Sequence, residues 1–336
     1  MGFSDTDNYW IQGLWVGDSL TDLHRMCVES FLARGHGFAL YTYGAVENLP
    51  PGVTIRDATQ IVPSSLIYQF DGSYAGFSDL FRNKLLHANG GWYVDLDIYC
   101  LRPFDVKAEI VFSLARYDPG PSAAHVGSRP TIGEGLYVAT NPCKLPRGHE
   151  LAADLYGTIF KKVVFSKLRH LWCGVDRADA EGSLKRENIV DLLRTIDVVL
   201  DFETYVMPLA ILPPDTSFSE LLEAASFPSD EVGQKAWGEI GPLLLTRAVI
   251  ARGLCDYTTP PEMFQGIVNH FDVEKYLDPT FDFDSALKKA EPYSLDLFFT
   301  MWRNKGLLER TVTGQRCLLE YMRNACKTVQ PQCPAS

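Results

Sequence analysis

The chain has 336 residues, enough for one large domain or two modest ones, and its 46% hydrophobic and 22% charged content excludes a mostly disordered polypeptide. With 31 Lys and Arg against 42 Asp and Glu the net charge is −11, and without a compensating basic stripe nucleic-acid binding is not expected. No stretch reaches the ~18–20 consecutive apolar residues of a membrane-spanning helix.

Strand-like and helix-like stretches alternate from the start. Trp10 to Val16 reads as a strand closed by Gly17-Asp18-Ser19. Thr21 to Ala33 reads as a helix, with Leu20, Leu23, Cys27 and Phe31 at near-helical spacing and Gly35 beyond its end. Phe38 to Tyr43 is a second strand, Pro50-Pro51-Gly52 a turn and Val53 to Ile55 a third strand. A helix over Phe77 to Asn89 and a strand over Trp92 to Tyr99 follow. This alternation predicts an α/β fold around a central, mainly parallel sheet with added helices. Further on, Tyr117 to Ser122 reads as a loop, Gly135 to Ala139 as a strand, residues 150–172 and 185–200 as helices, and Asp176 to Ser183 as a polar connection. Pro213-Pro214 and Pro260-Pro261 mark breaks, and Tyr293 to Asn324 reads as mostly helical. The N-terminal Met1 to Asn8 is acidic and polar, without the basic start and apolar run of a signal peptide, so a cytoplasmic location is expected. The eight cysteines are scattered without a Cys-x-x-Cys pair, which fits small buried hydrophobes better than a disulfide framework or zinc site.

The stretch from Ser78 to Tyr99 carries the chemistry. On its helix, Phe77, Phe81, Leu85 and Ala88 share one arc and form the buried face. Asp79 and Arg82 lie roughly opposite, placed to point together into a cleft. Gly90-Gly91 ends the helix and opens backbone conformations closed to other residues. Along the strand that follows, Tyr93, Asp95 and Asp97 share one face and Val94, Leu96 and Ile98 the other. Two carboxylates ~7 Å apart at their Cα atoms on one strand face repel unless a positive charge sits beside them. A divalent cation answers that need, and carboxylate oxygens suit the hard ions Mn²⁺ and Mg²⁺. A second acid-x-acid motif, Asp282-Phe283-Asp284, lacks the preceding helix and the Gly-Gly pair and reads as a surface turn or helix start.

Taken together, Ser78-Asp79, Arg82, Gly90-Gly91, Tyr93, Asp95 and Asp97 resemble the core pattern of the DXD-motif sugar-nucleotide glycosyltransferases. That group includes the catalytic domains of clostridial glucosylating toxins, fungal initiating mannosyltransferases and bacterial capsule enzymes. Trp10 to Gly17 resembles the family's first strand, and Gly238 to Thr246 its later Gly-Pro-x-x-x-Thr element. The likeness is clear over residues 9–105 and thinner over 235–306. It implies a Rossmann-like glycosyltransferase A-type fold, with a catalytic domain over residues 1–310 (nucleotide-binding half 8–120, acceptor-side half 121–310) and a helical tail over 311–336.

The resemblance also implies roles. Asp97 is the direct metal ligand, and Asp95 binds the donor ribose, the metal or both. Arg82 pairs with phosphate or sugar oxygens, Asp79 accepts hydrogen bonds from sugar hydroxyls, and Trp15 stacks on the base. Tyr93 lines the same face. The implied donor is a nucleotide sugar, a UDP-sugar by the first strand, transferred with retention to a glycan, lipid-linked sugar or protein acceptor. Two positions depart from the pattern: Gln12 stands where His is usual, and Asp296 stands where a late helix, here Ser294 to Arg303, carries a His near the metal. Asp296 is therefore the expected third metal ligand, with His270 a substitute. Glu134 lies where an amide residue is often seen near the donor sugar. The same departures keep open a catalytically inactive relative that binds a sugar nucleotide or a protein. An Asp-x-Asp phosphatase fits less well, because no small residue or Thr follows Asp97 at the required place. Finally, Leu318, Met322, Ala325 and Val329 form an apolar stripe flanked by Arg316, Arg323 and Lys327, a face that either packs on its own domain or rests on an anionic membrane.

Overall fold

The structure is a computed structural model that describes residues 10–69, 73–106, 110–114, 132–139, 150–153, 155, 245, 248–250, 252–307 and 316–328; of 132–139 the backbone alone is described. The loop at 117–122, the connection at 176–183, the helix at 185–200, nearly all of the helix at 150–172, Pro213-Pro214, the side chain of Glu134 and all of the Gly238–Thr246 element except Leu245 lie outside the described residues.

The fold is α/β. Strands β1 (Trp10–Trp15), β2 (Gly37–Thr42), β3 (Val53–Asp57) and β4 (Gly91–Val94) form a parallel sheet in the order β3-β2-β1-β4. The sheet continues through β7 (Ile132–Ala139), antiparallel to β4, then β6 (Ile110–Leu114) and the short β8 (Thr258–Thr259). Helix α1 (Asp22–Ala33) links β1 to β2, and α2 (Ala75–Asn89) leads into β4. Thr21 caps α1, its hydroxyl accepting the His24 amide N–H.

Alternate residues of the central strands enter two different cores. Ala39, Tyr41 and Tyr93 pack with Phe77, Leu80, Phe81 and Leu85 of α2. Phe38, Leu40, Trp92 and Val94 pack with Val28 and Phe31 of α1. A sheet covered on both faces demands apolar residues at both phases of the strand, which is why these strands read as nearly continuous hydrophobic runs.

The expected strand from Trp92 to Tyr99 is two strands. β4 stops at Val94, residues 95–97 turn, with the Ile98 N–H donating to Asp95 O at 3.1 Å, and β5 (Ile98–Cys100) leaves the main sheet. It pairs instead with β9 (Ser294–Asp296) in an antiparallel ribbon that sets Ile98 opposite Asp296. The alternation argument for Asp95 and Asp97 therefore does not hold: a turn, not a shared strand face, brings them together. Gly13 on β1 makes room for it, since a Cβ there would lie 2.8 Å from Leu96 Cδ2.

The late segment is also corrected. Ser294 to Arg303 is not one helix: Asp296 ends β9, and only Phe299–Asn304 is helical, as α5. Before it come α3 (Pro261–Phe264) and α4 (Phe283–Ala290), and Asp282 caps α4 through the Ser285 N–H, so the second acid-x-acid motif is a helix start. Helix α6 (Leu318–Thr328) turns Leu318 and Met322 of the apolar stripe into the protein, while Val329 lies outside the described residues. Leu318, Leu319 and Met322 are fully buried with Met26 and Cys27 of α1, and Tyr99 donates to Met322 O at 2.9 Å. The membrane-facing reading of Leu318 and Met322 is thereby overturned. No helix among the described residues is long and apolar enough to cross a membrane.

Candidate functional site

In an open parallel sheet, ligands bind beyond the carboxyl ends of strands whose connections diverge. Here that point lies between β1 and β4, because β1 proceeds towards β2 and β3 on one side while β4 arrives on the other. Gln12 is in register with Tyr93, so the end of β1 at Trp15 and the turn after β4 at Asp95 open on the same edge. Trp15, Asp95 and Asp97 are thus gathered by topology.

Behind them, α2 supplies a buried polar row. Arg82 is almost fully enclosed, with 4% of its side chain exposed. Its Nη1 lies 3.3 Å from Asp79 Oδ1, and its Nη2 donates to both oxygens of Asp95 at 2.8 and 3.0 Å. The guanidinium also lies 5.0 Å from the Tyr93 ring centroid, and the Tyr93 hydroxyl is hydrogen-bonded to Ser78 Oγ at 2.9 Å. Asp79 and Arg82 do lie together on α2, as the spacing suggested, but the cleft expected beside them is closed over. They are themselves buried, because Asp95 reaches back from the turn to complete their charge balance.

The acids are not equivalent. Burial raises the Asp95 carboxyl above its usual range, while the Arg82 guanidinium favours its charged form. Asp97 is pushed up to about 6, first by burial and then by the charge of Asp95. Burial, followed by the charge of Asp97, raises Asp296 well above its usual value. Each of the latter two carboxylates holds a backbone amide: Asp97 Oδ2 accepts from the Phe299 N–H at 3.1 Å and Asp296 Oδ1 from the Phe298 N–H at 2.9 Å. Between them Phe298 adopts a left-handed conformation, φ +51°, costly for a bulky residue and retained where its surroundings enforce it.

The donor set suits a hard cation: concentrated carboxylate oxygens, with Asp97 and Asp296 making no ion pair among the described residues. The three acids are not gathered into one ligand cage, however. Among the described residues no three His, Cys, Asp or Glu side chains stand together in a metal-holding group, and Asp95 is taken by Arg82. Asp97 and Asp296 are accordingly the pair best suited to a first ion contact. His270 packs against Phe271 and Phe298, at ring-centroid distances of 3.8 and 5.8 Å.

Trp15 is half-buried, and its Nε1–H has no hydrogen-bond partner among the described residues. Its ring leans on His24, with centroids 4.7 Å apart. Gln12, the departure in the first strand, is buried: its Nε2 donates to Gly90 O at 2.8 Å and its Oε1 accepts from the Tyr41 hydroxyl at 3.4 Å. His24 and Phe299 are site neighbours that the sequence did not signal. One lies on the first turn of α1 and the other far along the chain, and no local periodicity links them.

No protein-family model matches the chain, and no curated protein does. Solved structures similar to it include the PaToxG glycosyltransferase, at TM-score 0.30 and 12% identity over 73% of this chain and 87% of that one. The ligand-free glycosyltransferase domain from the YGT toxin aligns at TM-score 0.38 and 9% identity, over 94% of this chain and 93% of its own. The UDP-bound form of the same domain aligns at TM-score 0.37 and 10% identity, over 97% and 92%.

Proposed function

We propose that this chain is a metal-dependent glycosyltransferase that moves a sugar from a nucleotide sugar, a UDP-sugar, to a glycan, lipid-linked sugar or protein acceptor with retention of anomeric configuration. The reading rests on the resemblance of residues 9–105 to the DXD-motif family. The observation that carries it is the acidic turn at the end of β4, at the divergence point of the sheet, with Arg82 against Asp95 and Asp296 brought alongside by β9.

In this reading Asp97 and Asp296 hold Mn²⁺ or Mg²⁺, with Asp95 directed to the ion or to the donor ribose. The bound ion supplies Lewis-acid stabilisation of the charge that grows on the departing diphosphate. Arg82 pairs with phosphate or sugar oxygens, a task suited to a planar guanidinium. Asp79 accepts from sugar hydroxyls. Trp15 stacks on the base, an interaction of about 1–3 kcal/mol in nucleic-acid sites. Tyr93 supports Arg82 from below.

A thermal-shift panel of UDP- and GDP-sugars, with and without Mn²⁺, tests this directly. A native-state ligand present at 100 times its Kd adds about 2.7 kcal/mol of apparent stability. Stabilisation by one UDP-sugar that needs Mn²⁺ and is lost in Asp97→Ala is the expected result. Indifference of the whole panel to Mn²⁺ would remove the metal from the proposal. The second reading, an inactive sugar-nucleotide binder, is favoured by the engagement of Asp95 with Arg82 and the lack of a three-acid cage among the described residues. Tight binding with no Mn²⁺-dependent hydrolysis of the donor would select it.

A further inference from the structure

Between the two halves of the candidate site stands a side chain with no role so far. His24 lies on the first turn of α1, three residues after its cap. One side of its imidazole meets Trp15, at 4.7 Å between centroids and 59° between planes. The other meets Phe299, at 4.8 Å and 84°, an edge-to-face contact. Phe299 is the residue whose N–H is held by Asp97 Oδ2 at 3.1 Å. A continuous path of contacts thus runs from Trp15 through His24 and Phe299 to Asp97. His24 is also fixed at its own end, since its Nδ1 and Thr21 Oγ1 are hydrogen-bonded at 2.6 Å. That bond sets the ring orientation from the start of α1 rather than leaving it to the two aromatic neighbours.

We infer that His24 is a positioning residue that couples the Trp15 ring to the start of α5, and through it to Asp97, so that occupation at the base end is felt at the acidic end. The inference rests on the nucleotide-sugar reading for what occupies the site, but not for the coupling itself. Burial, aided by the charge of Arg303, pushes the imidazole down to about 4, so the ring acts as a neutral wedge at physiological pH. Aromatic pairs of this geometry contribute beyond their buried area, and removing the middle ring forfeits two of them together.

The test uses the full chain labelled with 5-fluorotryptophan, the Trp15 resonance being identified by its loss in Trp15→Phe. In the ligand-free protein, His24→Ala is expected to shift that resonance and to speed exchange of the Phe299 amide about tenfold, while His24→Phe, which restores a ring, returns both towards wild type. UDP with Mn²⁺ is then added as probe. In the wild type, UDP should slow Phe299 exchange. In His24→Ala it should still bind, about tenfold more weakly, but leave Phe299 exchange unchanged. Failure of the wild type to bind UDP counts against the nucleotide-sugar reading alone, because the ligand-free arm still reports on His24. The inference is overturned if a folded His24→Ala protein leaves the Trp15 signal or the Phe299 exchange unmoved, or if UDP protects Phe299 equally with and without the ring.

Discussion

Arg82 Nη2 lies 2.8 and 3.0 Å from the two carboxylate oxygens of Asp95, a pairing that joins the middle of α2 to the turn beyond β4. It replaces the relationship the sequence suggested, in which Asp95 and Asp97 shared one strand face beside a cation. One acid is neutralised by the protein itself, and the charge in need of a partner moves to Asp97 and Asp296.

Removing Arg82 therefore has a structural cost apart from any catalytic one. Arg82→Ala leaves Asp79 and Asp95 facing each other without their shared cation, and breaking a buried pair this way costs about 3–5 kcal/mol. Arg82→Lys retains charge but cannot serve both carboxylates with a planar fork, so it should recover only part of the loss. Denaturant unfolding of both variants checks this. An Arg82→Ala protein as stable as wild type would mean that the two carboxylates are solvated and the pairing is incidental.

Asp97 gives the fold a readable pH signature. Its proton is held more tightly in the folded chain, at about 6, than at its ordinary value of 3.8. The favourable contribution of the protonated form is thus complete below 3.8 and is lost as the pH rises through 6. Asp97→Asn keeps an oxygen for the Phe299 N–H and removes the repelled charge. It is expected to be more stable than wild type by about 1–2 kcal/mol at pH 7.5 and to match it near pH 4. Thermal melts across that range decide the point, and a gain independent of pH would place the origin of Asp97's strain elsewhere.

A divalent cation should reverse the sign of that comparison. With Mn²⁺ present, the wild type gains stability from an ion shared by Asp97 and Asp296, while Asp97→Asn and Asp296→Asn gain little. The ion competes with the protons on Asp97 and Asp296, so Mn²⁺ affinity should climb as the pH rises through 6. Titration calorimetry at three pH values measures this. Equal Mn²⁺ affinity in the wild type and both variants would exclude these two residues as ligands.

The parallel strands and the neighbourhood of the acidic pair were legible because they are written locally. Strands covered on both faces appear as short apolar runs, α1 carries its cap at Thr21, and Gly90-Gly91 punctuates the end of α2. The break after Val94 was not legible. Val94 to Tyr99 keeps a strand-like alternation, and what diverts it is Leu96 seated over Gly13 and β5 drawn away by β9. Asp296 was named for the right neighbourhood on the wrong element: its helix is a strand because Ser294, Leu295 and Asp296 find backbone partners on β5. The burial of Asp79 and Arg82 was hidden for a similar reason. A polar pair opposite an apolar arc reads as cleft-facing, and nothing local tells that an acid from beyond the sheet closes over it.

Gln12 takes its meaning from the same glycine turn. Its Nε2 donates to Gly90 O at 2.8 Å, while Tyr41, which donates to Gln12 Oε1, accepts from Asn89 Nδ2 at 3.1 Å. The end of α2 is thereby fastened to β1 and β2, which fixes where β4 begins and where its acidic turn falls. Gln12→Ala strands a buried carbonyl and should cost about 1–3 kcal/mol. Gly91→Ala should cost a similar amount for two reasons: a φ of +84°, and a Cβ 2.9 Å from Gln12 Nε2. The second reason disappears when Gln12 is shortened, but the first does not. The double variant should therefore lose less than the sum of the single losses, by about 0.5 kcal/mol or more. Strict additivity in denaturant unfolding would show that the Gly91 requirement is purely conformational and that Gln12 holds Gly90 without constraining its neighbour.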